Sequence, residues 1–417
     1  MRWCTQLVRL KGFQELTPIP KALDQFFKRL QPNRIDPVFV PLSEALGRVT
    51  ARNLIAEENI PPFNRSAVDG YAAKAKDTIG VTQFKPRTLC LVKNEIVGEG
   101  EAREIWTGNP IPKGTDSVIM LEHVRKTDDE IEVLVSLTPG ENVSRKGEDV
   151  KKGDIVVEEG VRLNPHHLGL LASLGTKRVD VIRKPRVAIL ATGNELIALG
   201  EKPGLYKVVE VNSIILSNMC AEMNVEAFSL GIAKDDENEI ENKIYEGLTR
   251  ADIMITTGGT SVGVHDLVPK VIEKMENDGV VVHGIAMRPG MPTALAVVQN
   301  KPLLILSGNP VAATVGFEVF ARPLIHKLTG AKNEMRTKLK ARLTRRVAGV
   351  LGQSVFLRVN VMEEDGELFA EPIRVKGSSI ITTITKANGY VIIPENREGL
   401  KENERVTVHL FDTVKKV

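Results

Sequence analysis

Thr256-Thr257-Gly258-Gly259-Thr260-Ser261-Val262-Gly263-Val264-His265-Asp266 decides how the middle of this chain is read. An apolar run, Ile253-Met254-Ile255, precedes it, and a helix-like segment of about 266–276 follows. A strand that opens into glycines and hydroxyls and then into a helix is a design for holding an anion. Glycine lets the backbone come close, and the free N–H groups of a helix start bind negative charge. Gly258, Gly259, Ser261 and Gly263 are therefore candidate binding residues. Asp266 is placed to hold a metal ion or a water beside the anion.

The same design recurs on both sides. Ala191-Thr192-Gly193-Asn194-Glu195 ends a strand expected at 187–191, and Leu306-Ser307-Gly308-Asn309-Pro310 ends one expected at 303–306. Asn309 is expected to cap a helix that begins at Pro310. Further strands are expected at 225–231, 252–256, 280–285 and 294–298, with helices near 212–223, 236–250, 266–276 and 310–328. This alternation argues for a largely parallel sheet in a three-layer α/β domain. Ligands of such sheets sit beyond the carboxyl ends of the strands. Three polar turns on one edge, with Thr192, Gly193, Ser307, Gly308 and Asn309, point to an anionic ligand. Met287-Arg288-Pro289-Gly290-Met291-Pro292 adds a fixed cation.

Asp235-Asp236 precedes a helix. Paired acids there, with Glu195 and Asp266, suit Mg²⁺, which takes one or two carboxylates and leaves its other positions to phosphate oxygens and water. Helix capping is the competing role for either Asp. No nucleophilic triad is legible, and His265 is expected to be a surface-loop histidine.

The 417 residues are too many for one ordinary domain. Net charge is +3 and aromatics are 4%, which argues against a nucleic-acid role. The basic run from Arg336 to Arg346 is expected to be the wet face of a strand. Three scattered cysteines give neither a disulfide framework nor a zinc ribbon and fit a reducing cytoplasm. No apolar run is long enough for a membrane span, and no signal core is visible.

Four regions are expected. Residues 1–60 and 139–180 read as a discontinuous helical hub, with helices at 20–30 and from Ser43. Residues 61–138 read as a small inserted β module. The α/β domain takes 181–330. Period-two alternation over 331–417, with a hairpin at Asp365-Gly366, reads as a C-terminal β domain.

Seven segments in order carry a resemblance: PPFNRSAVDGYA (61–72), TGNPIPKGTD (107–116), GENVSRKGED (140–149), ATGNEL (191–196), TTGGTSVGVHD (256–266), MRPGMP (287–292) and SGNPVAAT (307–314). Together they resemble the MoeA family, the molybdopterin molybdenumtransferases, which includes the E domain of gephyrin. The resemblance implies a four-domain subunit that forms a homodimer, with a molybdopterin-binding-like central domain and a molybdopterin adenylyltransferase as a candidate partner. It implies insertion of molybdate, or tungstate, into adenylylated molybdopterin, with Mg²⁺-dependent hydrolysis and release of AMP. It assigns essential acids to Glu195, Asp149, Asp266 and one or both of Asp235 and Asp236, and function to Asp69 and Thr107 in the β module. The oxyanion pocket corresponds to Arg288, Pro292 and Arg358, with Ser378 or Ser379. Asn64, Asn194 and Met291 depart from the common Asp, Asp and Lys of the family. A non-catalytic scaffold of the gephyrin E-domain type is the alternative function, and a nucleotide pyrophosphatase is a third.

Overall fold

The computed structural model describes residues 15–260, 267–275, 279–332, 335–373 and 378–416. The chain divides into two compact units, one formed by Met1–Val38, Gly47–Val49 and Ile182–Val417, the other by Phe39–Leu46 and Thr50–Val181.

The larger unit holds the α/β domain. Its strands are β1 (Arg186–Thr192), β2 (Glu226–Ala233), β3 (Ile253–Thr257), β4 (Gly279–His283), β5 (Ala294–Val298) and β6 (Lys301–Leu306). They pair in the order β2-β1-β3-β6-β5-β4. The four strands β2, β1, β3 and β6 are parallel, whereas β5 runs antiparallel to both β6 and β4. The sheet is therefore largely parallel, as expected, and mixed only through the single reversed strand β5. The cause is the two-residue link between β5 and β6: Gln299 and Asn300 both adopt positive φ, the geometry of a tight hairpin.

Helices α1 (Asn212–Glu222), α2 (Glu237–Arg250) and α3 (Leu267–Lys274) alternate with the strands. Ile240, Ile244 and Leu248 of α2 lie one turn apart and bury one apolar stripe with Val268, Val271 and Ile272 of α3 against the sheet. A helical run over 310–329 follows β6, opening with α4 (Pro310–Gly316) and passing through a π-helical segment, Phe317–Ala321. Among the described residues no helix is long and apolar enough to cross a membrane.

The helix Ile19–Leu30 was expected in the hub. Its buried face, Ala22, Phe26 and Leu30, instead packs against β4 and β5. The helix expected from Ser43 is a single 3₁₀ turn, Leu42–Glu44, after a short strand.

The C-terminal part of this unit is a closed ring of five strands. Ser354–Glu364 pairs with Glu367–Pro372 and with Gly389–Ile393, and Lys338–Leu343 and Arg405–Leu410 complete the circle. Asp365 and Gly366 form the expected hairpin turn with positive φ. Alternate residues, among them Val355, Leu357, Val359 and Val361, fill the barrel core. The two-residue strand Met287–Arg288, from the α/β domain, adds to Ser354–Val355 in parallel register. Lys338 and Lys340 lie on the wet face, as expected of the basic run. Arg336 does not, because it pairs with Glu318 of the π segment, a carboxylate only 10% exposed that also holds Arg322 at 2.9 Å.

The smaller unit carries a six-stranded sheet in the order Ser117–Met120, Gly70–Ala73, Glu101–Ile105, Arg87–Leu91, Glu130–Val133, Val124–Lys126. Tyr71, Leu89, Ile119 and Ile131 are buried at its core. The flanking stretches are less helical than expected. Short two-stranded ladders dominate, with one α-helix, Pro165–Ser173, among the described residues. Asn164 caps that helix, and the His167 ring accepts back from the Asn164 N–H, which completes a reciprocal cap.

Candidate functional site

The carboxyl ends of β1, β3 and β6 meet, and glycine is what lets them do so. A Cβ at Gly258, which has φ +94°, would lie 2.4 Å from the Thr192 carbonyl oxygen. One at Gly308 would touch the Gly258 Cα at 3.4 Å. The resulting cavity, about 560 Å³, is lined by Thr192, Glu195, Gly258, Gly259, Ser307, Gly308 and Asn309, with Ser379 from the C-terminal domain. Ser261, Gly263 and Asp266 lie outside the described residues.

Gly193 has a second task. A Cβ there would come within 2.6 Å of the Glu195 carboxylate, so the glycine leaves room for that group to fold back over the turn. Glu195 is exposed and accepts no hydrogen bond from the described residues. Asn194 and Asp235 clamp the β1 and β2 turns reciprocally: the Asn194 N–H donates to Asp235 Oδ2 (3.1 Å), and the Asp235 N–H to Asn194 Oδ1 (3.3 Å). A neutral Asn suits this position, since an aspartate would set a second carboxylate beside Asp235. Asp236 caps α2, accepting from the Glu239 N–H at 2.9 Å. Of the paired acids, one clamps the loop and the other starts the helix. Among the described residues no three His, Cys, Asp or Glu groups gather in a metal-ligand cluster.

A second cavity of about 500 Å³ adjoins the first. Both are lined by Ser307, Asn309 and Pro292. Asn309 occupies the cap position of the helix, yet its side chain caps nothing, which corrects the capping expectation. The second cavity draws Arg288 and Met291 from the α/β domain and Gln353, Arg358 and Ser378 from the barrel. Arg288 is exposed and has no hydrogen-bond partner among the described residues. Arg358 is 5% exposed, and its Nη1 donates to the Phe356 carbonyl at 3.2 Å. Burial pulls its guanidinium below the ordinary value, but arginine remains charged in proteins. The Ser378 carbonyl accepts from the Val311 N–H at 3.1 Å, tying the barrel to the start of α4. Met291 leaves a soft sulfur against the Gln353 amide at 3.6 Å. The cavity thus pairs two cations with neutral hydroxyl and amide groups, a composition suited to a small tetrahedral dianion.

Asp69, Thr107 and Asp149 belong to the smaller unit. Asp69 Oδ1 accepts from both the backbone N–H and the hydroxyl of Thr107, each at 2.7 Å. These bonds, the backbone one first, hold the Asp69 carboxyl below its ordinary value of 3.8. Thr107→Val removes the hydroxyl and keeps the N–H. The Asp69 pKa is expected to rise part of the way towards 3.8, measured by NMR titration of its carboxyl carbon; an unmoved midpoint would remove the hydroxyl from the account. Asp149 is exposed, with its N–H on the Ile60 carbonyl at 3.0 Å. Asn64 Oδ1 accepts from the Lys146 N–H at 2.8 Å, a loop-closing bond for which asparagine serves as well as aspartate.

Sequence reasoning missed Asn212. It read as an ordinary first residue of a helix, but it is 6% exposed and lines the first cavity.

Three family profiles match the chain in order: the MoeA N-terminal region (domains I and II) over residues 17–175, a probable molybdopterin binding domain over 188–327, and the MoeA C-terminal region (domain IV) over 340–411. A putative molybdopterin biosynthesis protein of Methanocaldococcus jannaschii is 38% identical, over 89% of this chain and 92% of its own. The molybdopterin molybdenumtransferase of Bacillus subtilis is 32% identical, over 95% of each chain. Among solved structures, the molybdopterin biosynthesis MoeA protein of Pyrococcus horikoshii superposes with a TM-score of 0.82 at 34% identity, covering 95% of this chain and 100% of that one.

Proposed function

The chain belongs to the MoeA family and acts in molybdenum-cofactor biosynthesis as a molybdopterin molybdenumtransferase; from that premise we propose that it takes adenylylated molybdopterin, cleaves it to release AMP, and places molybdate or tungstate on the dithiolene. The observation that carries this reading is the common wall of the two cavities. One cavity is built from the strand-end turns and suits the phosphates. The other, with Arg288 and Arg358, suits the oxyanion. A substrate lying across Ser307 and Asn309 presents its phosphoanhydride to the first while its sulfur atoms face the second.

In the cleavage, water adds to phosphorus, the bridging P–O bond breaks, and AMP leaves. The donor set fits Mg²⁺: Glu195 offers a free carboxylate, and Asp235 has one oxygen outside the loop clamp. When bound there, the ion neutralises charge that builds on the phosphate oxygens. Glu195 and Asp235 would hold it, the glycine turns would orient the phosphates, and Arg288, Arg358 and Ser378 would fix the oxyanion.

The test mixes purified protein, adenylylated molybdopterin, Mg²⁺ and either oxyanion. AMP release and metal retained on the pterin are measured together. Release without retained metal, or neither, sinks the reading.

Arg288→Ala is expected to raise the molybdate concentration needed for half-maximal insertion by about ten- to a hundredfold, as for loss of one charge-assisted contact worth roughly 1.5–3 kcal/mol. Binding of AMP should change little. An unshifted molybdate titration would place the oxyanion elsewhere.

The reading extends to a homodimer whose site combines the α/β domain of one subunit with Asp69 and Thr107 of the other. The support is that the Asp69–Thr107 pair is exposed, hydrogen-bonded and held ionised on a domain without a strand-end anion cradle of its own. Mixing an Asp69/Thr107 double variant with a Glu195 variant should restore part of the activity. A monomeric mass, or no rescue after proven subunit exchange, rules it out.

A further inference from the structure

A third cavity, of about 260 Å³, lies within the larger unit between the α/β domain and the outer face of the barrel. Val311 and Val315 stand one turn apart on α4, Met219 comes from α1, and Phe356 and Tyr390 come from two paired barrel strands. Ile384 brings in a short helix, Thr382–Thr385. Val355, Leu357 and Val359 fill the barrel core, so Phe356 and Arg358 alternate outward, and the register sets Tyr390 opposite Arg358. The Phe356 and Tyr390 rings meet at 5.8 Å, tilted.

The threonine hydroxyls on this wall are already committed. Thr314 Oγ1 donates to the Pro310 carbonyl at 2.9 Å and Thr385 Oγ1 to the Thr382 carbonyl at 3.3 Å, each within its own helix. Glu318 is held by Arg322 and Arg336. Among the described residues of the wall, Glu222 and Glu318 balance Arg336 and Arg358. A cation there faces two guanidiniums, and an anion faces two carboxylates. Water finds few free partners, and an apolar cavity of about 150 Å³ already takes benzene. The room and the lining therefore suit an uncharged aromatic molecule of one or two rings, packed on Phe356 and Tyr390. A pterin does not fit this description, because the amide and amine groups around its edge would go unpaired.

Phe356 and Arg358 also line the second cavity. We propose that the third cavity is a binding site for a small uncharged aromatic molecule, and that its occupancy tightens oxyanion binding in the second cavity through the Arg358 side chain that both share. A molecule packed against Arg358 leaves the guanidinium fewer positions, so less freedom is lost when an oxyanion fixes it. Such coupling is reciprocal: the oxyanion tightens the aromatic molecule by the same factor. The coupling rests on the reading of the second cavity as the oxyanion site; the binding does not.

The probes are 2-naphthalenemethanol and its charged counterparts, 2-naphthoate and 2-naphthylmethylammonium, titrated by calorimetry into the full chain. The alcohol is expected to bind wild type about tenfold more tightly than either ion. Met219→Trp and Ile384→Trp fill the cavity from two different helices. Each is expected to weaken the alcohol by about tenfold or more and to remove its effect on molybdate. Either variant carries the decision if the other does not match wild type in circular dichroism. Saturating alcohol is expected to lower the molybdate dissociation constant of wild type about fivefold, and saturating molybdate to lower that of the alcohol by the same factor. An alcohol that does not bind, binds no better than the ions, or binds both folded tryptophan variants as it binds wild type overturns the site. Binding that the fillings abolish, with molybdate affinity unmoved by the alcohol, overturns the coupling. A wild type that binds the alcohol but no molybdate overturns the coupling together with the reading of the second cavity, and leaves the site standing.

Discussion

Glu195→Gln is expected to lower the rate of AMP release by about two to three orders of magnitude, the usual cost of removing one preorganised electrostatic group from a reacting centre. The substitution keeps length, shape and polarity. It removes the negative charge that the β1 turn holds ready, and that charge is otherwise uncommitted: no described residue donates a hydrogen bond to it. A Cβ at Gly193 would collide with this carboxylate, so the glycine leaves it room to fold back. Affinity for AMP and the melting temperature should both stay near wild type, because Glu195 is exposed and supports no packing. A variant that releases AMP at the wild-type rate removes Glu195 from the chemistry.

Glu318→Ala is expected to cost about 3–5 kcal/mol of stability, the penalty for leaving buried charge without its partner. Here two guanidiniums are stranded at once, Arg322 and Arg336. Burial alone would raise the Glu318 carboxyl, but hydrogen bonds from the two arginines outweigh it and hold it below its ordinary 4.5. A depressed carboxyl contributes stability that is fully present above the unfolded value and is lost as pH falls through the folded one. The gap between wild type and variant should therefore be constant near neutrality and narrow below pH 4.5. Denaturant titrations at several pH values check this. A gap under about 1 kcal/mol at pH 7 would mean that the arginines find other partners.

What could be read in advance depended on how local the signal was. The three strand-end turns were legible because glycine, hydroxyl and helix-start residues sit within a few positions of each other. Asp365-Gly366 was legible for the same reason. The antiparallel β5–β6 hairpin was not, since Gln299-Asn300 carries no glycine to announce a two-residue turn. The position of Ile19–Leu30 was also hidden: its amphipathic face shows that it packs, not that its partners are β4 and β5, more than 240 positions away. The paired acids Asp235 and Asp236 looked interchangeable as a dipeptide. Only the fold separates them, through bonds to Asn194 on one side and Glu239 on the other. Asn212 gave no signal because its partner, Gly308, stands 96 positions on, whereas Glu318 has Arg322 one helical turn away and only its second partner, Arg336, lies 18 positions off.

The parallel ladder of Met287–Arg288 on Ser354–Val355 makes the α/β domain and the barrel inseparable at the second cavity. Arg288 and Arg358 are encoded in different domains, yet the backbone of the first is hydrogen-bonded into the sheet that carries the second. Neither domain alone lines the second cavity. The α/β part alone supplies one guanidinium, and the barrel alone supplies the other. The second cavity therefore exists only where the two domains join, and parting them would leave each with one of its two guanidiniums.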